Sequence, residues 1–322
     1  MAQPRHEPIE QPSEALFDRY TLPKVALAII LLASLLGTAL TLGLSGFGSL
    51  LTVLAKWGYL VTLGVLVGGL GWKHGFVRPQ DLDEGTESYC GRMYDRFGSI
   101  LLFATGVLAL TGVGVLARYW LAVPGTVVPA TVTALFTALV FALGASLVGS
   151  SSIDEQFRSP RGLAAFGLAV AVLSATAVAE VALSRGTAGE AAVRTLHLLA
   201  FAFWIGGAVW NIFVAVPTGQ ESPTVPVVRA AGQQLERFRW AVRLIFPTIL
   251  LTGLYQAYAL FGWNLQVYLQ SVFGLAIVGK LGLVATLFVI FKLCPMWRAC
   301  SPIEGVCDLE ELGGSQEVSD DD

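Results

Sequence analysis

The sequence predicts an all-α integral membrane protein, with eight transmembrane helices in two tandem, parallel four-helix modules and both termini cytoplasmic. Three observations predict it. The 322 residues are 55% hydrophobic and 13% charged, with a mean hydropathy of +0.68, whereas soluble domains carry about a quarter charged residues. Eight apolar runs are long enough to cross a hydrocarbon core about 30 Å thick, which takes roughly 20 helical residues. Landmarks in the first half then recur in the second, in the same order and at a nearly constant offset. The runs lack two-residue alternation, so helices are expected rather than a closed barrel.

Residues 1–23 are polar, with Arg5, Glu7, Glu10, Glu14 and Asp18. They contain no apolar stretch followed by a cleavage site, so no removable signal peptide is expected. The spans follow as Val25 to Leu44, Leu54 to Trp72, Gly98 to Leu121, Val128 to Gly149, Leu163 to Leu183, Leu196 to Val216, Trp240 to Phe261 and Val272 to Leu293. With the N-terminus inside, fifteen of the 20 lysines and arginines fall on the cytoplasmic side. The outer side holds only Lys56, Arg118, Arg185 and Arg194, and Lys280 lies within a span. The positive-inside rule therefore places the chain in the cytoplasmic membrane with both ends inside. Cys90, Cys294, Cys300 and Cys307 all fall on that reducing side, where structural disulfides are not expected.

The repeat organises the spans. Gly68-Gly69 in the second span recurs as Gly206-Gly207 in the sixth. Arg96-Phe97 with Thr111-Gly112 recurs as Arg237-Phe238 with Thr252-Gly253, at an offset only slightly larger. We read modules at residues 24–151 and 160–293. The first is scaffold-like and the second bears the site, because His197 corresponds to Tyr59, and Lys280 falls opposite Leu139 or Val140. An even number of spans per module gives both copies the same orientation. The remaining tail, 294–322, is acidic and cysteine-containing, and the link Ser150 to Pro160 is a short polar loop. The glycines, 35 in all, serve first to let helices approach closely.

Candidate site residues cluster in the second module. His197, Trp204 and Asn211 follow at seven-residue steps and share one helical face. An intramembrane histidine is a site hypothesis by default, set against a plain interhelical hydrogen bond. Glu180, Tyr255, Gln256 and Tyr258 fall in the outer third of their spans, and Lys280 lies roughly 14 Å deep. A midplane lysine cannot easily reach water and demands compensation, by a structural ion pair or by a ligand. All of these groups are expected to converge between the helices of the second module. Pro247 is expected to kink the seventh span. On the cytoplasmic side Cys294, Met296, Cys300 and Cys307, with Cys90 and Met93 in reach, form a cluster of soft ligands suited to Cu(I), or else inert membrane-proximal thiols.

The ordered set His197-Leu-Leu-Ala, Trp204-Ile-Gly-Gly, Arg237-Phe238, Leu251-Thr-Gly-Leu-Tyr255 and Gly279-Lys280-Leu281 resembles the copper resistance protein D (CopD) family of eight-span membrane proteins. The resemblance covers the second module and, more faintly, the first. It implies copper ion uptake across the cytoplasmic membrane and copper tolerance, with His197 as ligand, Glu180 as acidic partner and a soluble protein delivering the metal. The second module is also similar to the four-span HemJ-type proteins, in which an early histidine and a later lysine are functional and heme b is bound. That likeness implies His197 as axial ligand and Lys280 near the iron or a propionate, with Trp204 and Tyr255 as cofactor-binding candidates. Imidazole suits copper and iron alike, and the spans hold no methionine or cysteine at mid-depth. A third expectation is an assembly or scaffold subunit, in a homo-oligomer or membrane complex, whose polar groups only specify packing. No phosphate-binding loop or nucleophile elbow is present, and no nucleic-acid partner is expected.

Overall fold

The computed structural model describes residues 21–293 except 45, 47, 78–83, 124, 148–155, 158 and 223, with side chains described through residue 290. Within those residues the regular elements are all helical. Eight helices are long and apolar enough to cross a membrane, which makes this a multi-pass membrane protein. They are α1 (Thr21–Leu44), α2 (Leu50–Phe76), α3 (Glu87–Ala122), α4 (Val127–Leu147), α5 (Pro160–Leu183), α6 (Ala188–Glu221), α7 (Val225–Phe261) and α8 (Val272–Leu293). A short helix, Leu265–Gln270, joins the last two.

Local sequence sets the helix starts. Ser49 caps α2 by accepting from the Thr52 amide, and Ser159 caps α5 from the Gly162 amide, with Pro160 in the first turn. Each cap satisfies one of the four free amides at a helix start. Thr187 and Glu190 form a reciprocal capping box that begins α6. The turn after α7 runs through Gly262 at φ 58°, a backbone region that glycine enters at little steric cost.

Two helices begin well before their apolar spans. α3 starts at Glu87 rather than near Gly98, and α7 at Val225 rather than near Trp240. The extensions are amphipathic: Tyr89, Cys90, Met93, Tyr94 and Phe97 are buried at steps of three and four, between charged neighbours. A hydropathy window averages such a segment to polar and misses its helical period. At about 1.5 Å per residue, the 36 residues of α3 reach roughly 54 Å. The extensions therefore project from the hydrocarbon on the face carrying the α2–α3 and α6–α7 loops, called here the loop face. The opposite end, with the short α1–α2, α3–α4 and α5–α6 turns, is the turn face.

α2 and α6 form the centre. They cross at Gly68 and Gly206, where a Cβ on Gly68 would stand 2.1 Å from the Ala202 carbonyl oxygen. Only glycine permits that approach. Around this pair α2 packs on α1, α3 and α5, while α6 packs on α5 and α7. α4 packs between α3 and α5, whereas α8 packs on α1. Each central helix contains a π-turn, Trp72–Phe76 in α2 and Trp210–Ala215 in α6. Trp72 and Trp210 stand at the same offset as Gly68 and Gly206, so the two turns start at equivalent places in the repeat. Such turns insert one residue and rotate the helical face beyond them. At the loop face, Arg92 and Arg96 both pair with Glu221, and Tyr89 donates to the Ala215 carbonyl at 3.1 Å.

Candidate functional site

α6 supplies the centre of the site. Its capping box places Arg194, His197, Phe201 and Trp204 at steps of three, four and three, and all four line one cavity. The opposite wall comes from Gly253 and Gln256 of α7 and from Ile277, Lys280 and Val284 of α8. Ser34 and Gly37 of α1, with Trp57 and Leu60 of α2, complete it. The cavity measures about 190 Å³ and is mostly apolar, with a few convergent polar heads, as small-molecule sites commonly are.

The expected convergence within the second module alone is therefore not what forms. α8 packs on α1 and makes no extended contact with α7, so the cavity lies between the α6–α7 pair and the α1–α8 pair. Two first-half helices thus wall the site. Gly37 in particular faces Lys280, since a Cβ there would stand 2.9 Å from the lysine Nζ.

Hydrogen bonding fixes the form of His197, which is 8% exposed. Its Nδ1 lies 2.8 Å from Thr252 Oγ1, and that hydroxyl also contacts the Thr248 and Ile249 carbonyl oxygens. A carbonyl can only accept, so the single hydroxyl proton goes to the helix backbone and the hydroxyl accepts from the imidazole. His197 thus carries a proton on Nδ1, and in its neutral form the lone pair is on Nε2. This is the tautomer of a ligating imidazole, whose second nitrogen donates to an orienting partner. Thr252 plays that part, and the sequence offered it only as a landmark of the repeat.

Arg194 is held from behind. Its Nε and Nη2 donate to Glu180 Oε2 at 3.1 and 2.8 Å, and its Nη1 donates to Gln256 Oε1 at 3.1 Å. Lys56 Nζ stands 2.5 Å from Glu180 Oε1 and donates to Tyr119 at 2.8 Å. Glu180 is thus bound by two cations and is not among the cavity-lining residues. Lys56 and Arg194 are equivalent positions of the repeat, and Glu180 is the single acid within the eight apolar runs, a signal that could have paired them. Lys280 lines the cavity with no ion pair or hydrogen bond among the described residues. Three cations here face one carboxylate, and two positive charges remain.

Other sequence candidates separate from this group. Trp204 is buried in the cavity wall and meets Phe246 edge to face, with ring centroids 5.9 Å apart. Tyr255 is 44% exposed and points away from the cavity, and Tyr258 stacks near Trp263. Asn211 lies in the π-turn and donates to the Gly207 carbonyl at 2.8 Å; the inserted residue turns it off the His197 face. α7 continues as one helix through Pro247. His74 is buried at the loop-face end of α2, across the bundle from His197. Cys90 and Met93 are buried on α3, and Cys90 forms no disulfide among the described residues. His6, Cys294, Met296, Cys300 and Cys307 lie outside the described residues. Among the described residues no group of three His, Cys, Asp or Glu side chains is placed to hold a metal ion. No known family model matches the chain, and neither does any curated protein or solved structure.

Proposed function

We propose that the protein is a membrane redox protein that binds heme b in this cavity. His197 would hold the iron through Nε2, and Lys280 and Arg194 would hold the carboxylates. The observation that carries the reading is an oriented imidazole in an apolar cavity beside Lys280, which has no ion pair among the described residues, and Arg194, which shares the one carboxylate of Glu180 with Lys56. Buried charge demands a counter-charge, and heme b brings two carboxylates on an otherwise apolar ring. The aromatic and aliphatic walls match the apolar faces of such a ring in chemistry, and at about 190 Å³ the cavity must widen to admit it; when bound, the group would supply one-electron chemistry at its iron. Thr252 would set the imidazole orientation, and the Glu180 network would hold Arg194 in place.

The same electrostatics weigh against copper as cargo through this cavity. A copper ion would meet one imidazole and the ammonium of Lys280, worth roughly 2 kcal/mol of repulsion at about 8 Å and an effective dielectric near 20. Among the described residues the cavity lining holds no His, Cys, Met, Asp or Glu besides His197. Resemblance to the HemJ-type proteins supports the heme reading.

We also infer that the halves are parallel four-helix repeats. The π-turns at equivalent places in α2 and α6 support this, as do the matching neighbour pairs: α2 on α3 and α6 on α7, α4 on α5 and α8 on α1. Location in the cytoplasmic membrane with both termini inside rests on the cation asymmetry.

The test is the visible spectrum of the full-length protein purified in detergent, before and after addition of hemin. A Soret band that is lost in His197→Ala, at unchanged protein yield, is expected. A wild-type protein that shows no band even with hemin added overturns the reading.

A further inference from the structure

The walls of the cavity are unequal. α7 packs along α6 but makes no extended contact with α1 or α8. The corresponding pair in the first half, α3 and α4, does pack together. α7 and α8 meet through the rings of Phe246 and Phe288, with centroids 6.1 Å apart; on the turn-face side of that contact they leave a cleft, and two leucines mark it. Leu254 of α7 and Leu281 of α8 both line the cavity and are 45% and 38% exposed. Such exposure in cavity-lining side chains on two helices that do not pack along each other points to a sideways opening between them. Leu251, Leu275 and Val278 extend the exposed apolar lips.

Depth decides what the opening meets. Leu254 lies seven residues before the end of α7, and Leu281 nine residues after the start of α8. These steps correspond to about 10 and 14 Å from the turn-face ends. Both leucines fall within a hydrocarbon layer about 30 Å thick, so the cleft faces acyl chains rather than water. Just inside it, beside Leu281, stands Lys280, which has no ion pair or hydrogen bond among the described residues. A solute arriving from the acyl region finds apolar lips and then a cation, an order suited to a flat apolar molecule with carboxylates at one edge.

We propose that the cavity exchanges its ligand with the bilayer through the α7–α8 cleft. This inference rests on the heme reading, and its ligand is the heme itself. The cavity also reaches Thr41, near the turn-face end of α1, so an aqueous route is the competing path.

Reconstituted full-length protein is mixed with liposomes carrying hemin, and the Soret band is followed during loading and during release to an acceptor. The paired Leu254→Trp and Leu281→Trp variant is expected to slow loading and release together, by about tenfold, as a narrowed gate does. The paired Leu254→Ala and Leu281→Ala variant, which does not depend on fitting an indole, is expected to speed both. Thr41→Trp, which narrows the turn-face end of the same cavity, is expected to slow loading and release less than the leucine pair does. Unchanged rates in both leucine variants, or slowing confined to Thr41→Trp, overturn the lateral route while leaving heme binding intact. A wild type that takes up no hemin removes the heme reading and the route with it.

Discussion

Tyr59 and His197 occupy equivalent places on the two central helices, and their surroundings differ in one respect that matters. Around Tyr59 the space is filled. Its hydroxyl meets Thr176 Oγ1 at 2.9 Å, and its ring lies 6.2 Å from that of Phe136. Phe136 packs against Gly112 so closely that a Cβ there would stand 2.3 Å from the ring. Around His197 the space is open: Gly253 is the repeat equivalent of Gly112, but Ile277 stands where Phe136 would, and Lys280 where Leu139 would. The helical frame is shared. A cavity follows from replacing two apolar plugs and from the retreat of α8 from α7.

At one point the halves are joined rather than contrasted. Lys56 of the first half and Arg194 of the second share the carboxylate of Glu180. Removing one member of a buried ionic group leaves uncompensated charge and costs about 3–5 kcal/mol. Glu180→Gln is therefore expected to give the largest loss of stability of any single change considered, read as thermal unfolding in detergent. A loss below about 1 kcal/mol would mean that the network is solvated and not a support for the site.

The plugs can be moved. Ile277→Phe with Lys280→Leu rebuilds the first half's filling in the second, and it also removes a lone cation from the interior. Heme affinity is expected to fall by about a hundredfold, roughly 2.7 kcal/mol, without loss of folding stability. Retained affinity would show that the open locus is not where heme binds.

Which parts of this were legible in the sequence follows from the physics of each. The spans were, because transfer from water to hydrocarbon acts on local composition. His197 and Lys280 were, because an ionisable group in such a run stands out one residue at a time. The amphipathic starts of α3 and α7 were not, because burial of Met93 or Leu235 depends on a helical period hidden by charged neighbours. Packing of α8 on α1 was not, because apolar faces in lipid carry no mark of their partner. Gly37 facing Lys280 could not be read for the same reason.

Thr252→Val tests the orientation of the imidazole while nearly preserving side-chain volume. Loss of the Nδ1 acceptor frees the ring to turn and to change tautomer. Second-shell partners of a metal-ligating histidine typically contribute 10- to 100-fold in affinity, and about tenfold weaker heme binding is expected, with a shifted Soret maximum. Thr252→Ser keeps the hydroxyl and is expected to restore both. An unchanged spectrum in Thr252→Val would show that His197 is held by packing alone.

The smallest effect belongs to the filled locus. Tyr59→Phe removes the hydroxyl that meets Thr176, whose own proton can turn to its helix carbonyl, so no donor is stranded. The expected cost is about 1 kcal/mol of stability, with the heme spectrum and affinity unchanged. The two readouts must separate, because Tyr59 is absent from the residues that line the cavity. If Tyr59→Phe instead alters the Soret band, the Tyr59 locus takes part in binding the ligand, and the contrast between a filled and an open locus fails. If it leaves the band alone while Thr252→Val shifts it, the division of labour between two like frames rests on the side chains around one histidine.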